Sequence, residues 1–225
     1  MVWEQIIGSI AGILVLGAIF VPIERFRPLV KQKLFRKQWR TDVAHLVLTG
    51  LLDGVFAIVG IVAAFLLVGW WAPAAIGAAI SAQPVALQLV EAFFLGNLLG
   101  YWSHRLSHTI PLLWRFHKIH HSSRQLDWLA AARRHPLEQT WAGFFVGIPL
   151  IFLGFNVQQV AFVQILNVLW GIFLHSNTAL RFKGLRHVIA TPEFHHWHHS
   201  ADRYNTNYSL FPWLDRIFGT CHQPE

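Results

Sequence analysis

The stretch Pro84-Val-Ala-Leu-Gln-Leu-Val-Glu-Ala-Phe-Phe-Leu-Gly-Asn-Leu-Leu-Gly-Tyr-Trp102 decides the fold, because it runs without a break into Ser103-His104-Arg-Leu-Ser-His108. A helix crossing a bilayer needs roughly 20 apolar residues, and this stretch supplies them. The continuing helix then presents two imidazoles where the apolar medium ends. Four more apolar stretches surround it, at about 2–23, 43–68, 141–155 and 157–174. The first two are long enough to cross. The last two are short and share a turn at Asn156–Gln159, so they read as a complete hairpin, with a re-entrant one as the alternative. Composition agrees: of 225 residues, 54% are hydrophobic and 13% charged, against roughly 25% charged in an average soluble domain. Disorder is excluded, and an ordinary soluble globule does not fit. The single cysteine, Cys221, excludes a disulfide framework and argues against a cysteine metal site.

The cations fix a sidedness. All 18 Lys and Arg lie in three segments: between the first and second stretches, between the third and fourth, and after the fifth. Five spans put all three segments on one side, and the positive-inside rule makes it cytoplasmic. The N-terminus is then expected outside, with residues 103–140 and 175–225 inside. The net charge of +7 is thereby a membrane-surface feature facing anionic headgroups, and nucleic acid is not an expected partner. No positive n-region precedes the first stretch, so it is not read as a cleaved signal. Trp70, Trp71 and Pro73, in the loop Gly69–Gln83, are expected along the outer interface. Asp53 and Glu91 fall inside spans, where acids face a bundle interior and have a partner. The fold class is therefore an all-α polytopic membrane helical bundle, one domain over 1–225, capped by a histidine-rich helical cytoplasmic region.

The chain has 14 histidines, and all but His45 follow the third span. His104 and His108 share one helix face. His117, His120 and His121 repeat the idea as H-x-x-H-H, on a helix expected to start at Pro111 and continue to His121. His195, His198 and His199 repeat it again, after Thr191 as N-cap and Pro192 at the first helical position. His135 precedes a Pro-initiated helix, and His175 ends the fifth span. These ten imidazoles are expected at one membrane boundary. Ten exceed two tetrahedral sites and suit two ions of higher coordination. Imidazole takes Fe, Zn and Cu alike, so ligand type does not select the metal. His196 points about 100° away from His195 and is read as a non-ligand, as are His45, His187 and His222. Asp127, Glu138, Glu193, Asp202 and Asp215 are candidates to accept the outer ring N–H groups, with Arg203 or Arg216 as alternative partners for Asp215.

These segments resemble the membrane-bound fatty acid hydroxylase / sterol desaturase family. The resemblance rests on Tyr101-Trp-Ser-His-Arg-Leu-Ser-His108, Trp114-Arg-Phe-His-Lys-Ile-His-His-Ser122, Arg134-His-Pro-Leu-Glu138, His175-Ser-Asn177 and Thr191-Pro-Glu-Phe-His-His-Trp-His-His-Ser200, with an ending that contains Asn207-Tyr208 and Trp213 to Thr220. It covers about 95–220. Two positions depart: Asn97 stands where members often have an acid, and His196 where many have another residue. The resemblance implies a non-haem di-iron oxygenase with ligands at His104, His108, His117, His120, His121, His135, His175, His195, His198 and His199. It implies two Fe ions (zinc being an occupant of purified protein), O2 as co-substrate, a lipid substrate, and hydroxylation or desaturation of an unactivated C–H bond. No dinucleotide fingerprint, haem domain or Cys-rich cluster is present, so electrons are expected from a separate ferredoxin- or cytochrome-type protein. The rival class is a non-enzymatic membrane metal transporter or metal-binding protein. It needs a polar path through the spans, and only Asp53, Glu91 and a few amides offer one.

Overall fold

The computed structural model describes residues 2–68, 74–182 and 184–224, all helix, turn or loop, with no strand among them. The helices are α1 (Val2–Phe26), α2 (Trp39–Val68), α3 (Ala74–Ser81), α4 (Val85–Thr109), α5 (Pro111–His117), α6 (Pro136–Phe152), α7 (Val157–His175), α8 (Pro192–His198) and α9 (Pro212–Ile217), with 3-10 turns at His120–Ser122 and Trp128–Ala132. Local chemistry sets the boundaries. Ile110 is extended before Pro111, which ends α4 and starts α5. His135 caps α6, with Pro136 at its first turn. Asn156 and Gln159 form a reciprocal capping box at α7. Thr191 caps α8.

Three described helices are long and apolar enough to cross a membrane: Ile7–Phe26, Val85–Thr109 and Val157–His175. Each leaves large apolar side chains exposed, such as Ile7 and Leu14, Val90 and Phe94, and Ile165 and Val168. A soluble globule would bury such surfaces; here lipid is the solvent that suits them. The protein is a membrane helical bundle. α2 runs for 30 residues and α6 for 17, which at 1.5 Å per residue gives about 45 Å and about 26 Å. Trp70, Trp71 and Pro73 lie outside the described residues, as does the side chain of Asp53. Glu91 accepts from Gln83 Nε2 at 3.2 Å.

The core between α4, α6 and α7 holds Ala92, Val146, Leu150, Phe155, Val160 and Val163. Gly96 lies in it: a Cβ there would meet Val163, Leu150 and Val146 at 3.4–3.6 Å. The turn after α6 has Gly154 at φ 104, and a Cβ there would come within 2.5 Å of the Gly77 Cα of α3. Only glycine fits at that close approach. Inside the bundle, Asn97 donates to Phe93 O at 2.8 Å and to Asn167 Oδ1 at 3.3 Å, joining α4 to α7.

A buried ionic chain ties the start of α2 to the loop before α6. Arg36 donates to both oxygens of Asp127, at 2.6 and 2.7 Å, and to Asp42 at 2.6 Å. Arg133 donates to the other oxygen of Asp42 at 2.5 Å. All four side chains are buried. The loop between α5 and α6 is thus held by paired charges.

Candidate metal centre

Nine of the ten expected histidines converge, in two groups. The first gathers His104 and His108 from α4, His117 from α5, His121 from the following 3-10 turn and His198 from α8. The second gathers His120, His175 from the end of α7, His195 from α8 and His199 at its C-cap. Within each group the candidate ligand nitrogens all lie within 4.8 Å of one another. The expected continuous helix to His121 does not form: α5 ends at His117, and His120 begins a 3-10 turn. That break separates neighbours. His117 and His121 serve the first group, while His120 crosses to the second. α8 and its C-cap do the reverse: His195 and His199 serve the second group, and His198 crosses to the first.

His135 joins neither group. Its Nδ1 accepts from Leu137 N at 3.1 Å, and its ring lies against Phe116 at 4.8 Å between centroids. That nitrogen is committed to capping α6. His196 also lies outside both groups, with Nε2 against the carbonyls of Ser176 at 3.1 Å and His175 at 3.3 Å. His45 Nδ1 meets Arg134 O at 2.9 Å. His187 contacts Gln223 and Arg216, and His222 contacts the Trp197 ring.

The nitrogen geometry suits an ion in each group. In the first, His117 Nε2 stands 3.0 Å from His108 Nε2 and 3.1 Å from His121 Nε2. In the second, His175 Nε2 stands 3.0 Å from His120 Nε2 and 3.2 Å from both His195 Nε2 and His199 Nε2. Two nitrogens each about 2.1 Å from one ion, at right angles, are about 3.0 Å apart.

The outer ring atoms show why these short separations are not hydrogen bonds. His120 Nδ1 faces Arg133 O at 3.2 Å, and His175 Nδ1 faces Gly171 O at 2.7 Å. A carbonyl only accepts, so each Nδ1 carries the proton and each Nε2 a lone pair. Two lone pairs 3.0 Å apart repel unless a cation lies between them. A proton is a poor candidate. Burial, then the neighbouring imidazoles, pushes His120, His121, His195 and His199 well below the ordinary histidine range. Burial brings His198 down to about 3. Neutral imidazole is the form that ligates a metal. The buried Nε2 atoms of His104 and His198 have no hydrogen-bond partner. The residues therefore fit a pair of metal ions.

Of the five acids expected behind the rings, only Glu138 reaches one, with Oε1 3.0 Å from His117 Nδ1. Asp127 pairs with Arg36 and Glu193 with Arg181. Asp202 is exposed. Asp215 takes neither Arg203 nor Arg216: it accepts from Tyr208 N, Ser209 N and Thr220 Oγ1. The carbonyls of Arg133, Gly171, Thr206 and Tyr208 hold the other identified outer nitrogens. Sequence offers no signal for them, since any residue has a carbonyl.

A membrane helical bundle with two clusters of converging imidazoles, each able to hold a metal ion, defines a class of membrane proteins. The sequence profile of the fatty acid hydroxylase family matches residues 89–220, and the chain belongs to that family. Among curated relatives, it is 33% identical to the ornithine lipid hydroxylase OlsE of Rhizobium tropici over 145 residues, 63% of this chain and 44% of that protein. It is 33% identical to the alkylglycerol monooxygenase of Homo sapiens over 133 residues, 56% of this chain and 29% of that protein. It is 37% identical to methylsterol monooxygenase 1 of Gallus gallus over 128 residues, 55% of this chain and 42% of that protein. The matches thus span less than half the length of each relative. No solved structure matches the chain.

Proposed function

We propose that the chain is a membrane-bound non-haem di-iron oxygenase that hydroxylates, or desaturates, an unactivated C–H bond of a membrane lipid with O2 and external electrons. The observation that carries this is the convergence of nine imidazoles into two groups at the ends of α4 and α7. The relatives named for hydroxylation or mono-oxygenation of ornithine lipid, alkylglycerol and methylsterol support a lipid substrate. Five histidines would hold one iron and four the other, with His135 outside both sets. Iron supplies O2 activation when bound. The protein's part is position and exclusion of water.

His104 and His175 stand at the ends of apolar helices, so a lipid chain reaches them without leaving the bilayer. Burial keeps His120, His121, His195, His198 and His199 neutral, and the carbonyls and Glu138 behind the rings set the tautomers. The cation distribution supports a cytoplasmic placement of this end, with the N-terminus outside. Electrons would enter there from a separate ferredoxin- or cytochrome-type donor.

The test is mass spectrometry of lipids from aerobically grown cells carrying the gene, lacking it, or carrying His120→Ala. The expected result is a lipid that gains one oxygen, or loses two hydrogens, only with the intact protein. Identical lipid profiles in all three would overturn the proposal.

A further inference from the structure

Between α8 and α9 the backbone turns left-handed at Asn207, with φ 58. Asparagine tolerates this region better than most residues with a Cβ. The residue is fully buried, with 0% exposure, and its side chain is saturated. Nδ2 donates to Phe194 O at 2.9 Å and to His222 O at 2.8 Å, and Oδ1 accepts from His222 N at 2.7 Å. Its own N–H donates to Thr220 O at 2.9 Å. Asp215 holds the next two residues by accepting from Tyr208 N and Ser209 N, at 2.8 and 3.0 Å.

The carbonyls on either side of Asn207 face two histidines from different helices. Thr206 O lies 2.7 Å from His198 Nδ1 of α8, and Tyr208 O lies 2.9 Å from His104 Nδ1 of α4. The two rings are 4.5 Å apart between centroids. They are also the two whose buried Nε2 atoms have no partner. An accepting carbonyl puts the proton on Nδ1 and leaves the lone pair on Nε2. One short loop therefore sets the tautomer of two rings in the five-histidine group.

We propose that Asn207 is a positioning residue for the metal held by the five-histidine group. Its left-handed backbone and locked side chain fix the flanking carbonyls against His104 and His198. The inference rests on reading those histidines as ligands. The four-histidine group does not share the device: the carbonyls of Arg133 and Gly171 hold His120 and His175.

The test uses the full chain in detergent, stripped of metal by chelator and titrated with Co(II). Ligand-field absorption reports binding, and circular dichroism reports helix content on the same samples. The wild-type chain is expected to take two equivalents. Asn207→Ala is expected to lose about 10–100-fold in affinity for one equivalent, the usual effect of removing a ligand's outer partner, and to keep the other. Asn207→Gly accepts the backbone angle without the side-chain bonds, so its loss should be smaller and confined to the same equivalent. Should Asn207→Ala fail to fold, Asn207→Gly decides alone by the same criterion. Wild-type affinities in the variants, or an equal loss of both equivalents with helix content intact, would overturn the positioning role. A wild-type chain that binds no cobalt would overturn the metal reading itself.

Discussion

Among the described residues, Glu138 is the one acid hydrogen-bonded to a histidine of either group, and its burial makes the contact consequential. A carboxylate behind His117 fixes that ring's tautomer and orientation through a charge-assisted hydrogen bond, which a carbonyl does more weakly. Replacing it by Gln keeps an acceptor and removes the charge. Glu138→Gln is expected to weaken metal binding at the five-histidine group by about 10–100-fold, measured by titration of the stripped protein. Unchanged affinity would mean the carboxylate only fills space. Which acid does this was not legible in the sequence. Five acids were candidates, and distant partners decided the matter: Arg36 took Asp127, Arg181 took Glu193, and backbone amides took Asp215. His135 illustrates the same limit. Its place beside Pro136 marked a helix start, and its Nδ1 caps that helix.

At the scale of elements, helical spacing brought His104 and His108 together, and likewise His195 and His199, each pair one turn apart on one helix face. It did not show that the second histidine of each H-x-x-H-H run, His120 or His198, crosses to the opposite group. No Gly or Pro marks the break after His117, so periodicity alone carries α5 onward to His121. The loop that follows is held by tertiary contacts that no local pattern reveals. Arg133 offers its carbonyl to His120 and its guanidinium to Asp42. Asp42→Ala leaves two buried guanidinium groups short of a partner. Breaking a buried pair this way costs about 3–5 kcal/mol. Thermal unfolding in detergent should show the loss, with the metal of the four-histidine group released first through His120. A variant melting with the wild type would contradict a supporting role for this ionic chain.

For the whole molecule, three of the apolar stretches coincide closely with long helices, because lipid-facing surface must be apolar over a fixed length. α1, α4 and α7 begin or end within a few residues of the stretches at 2–23, 84–102 and 157–174. α4 continues past Trp102 to Thr109, and that extension carries both of its histidines. The bundle's purpose, on this account, is to bring four segments distant in sequence to one end and close two imidazole cages there. The most direct test is metal analysis of the purified chain after anaerobic loading with ferrous iron and removal of the excess. The account predicts two irons per chain and no haem absorption. One iron or none per chain, in a protein with full helix content, would contradict it.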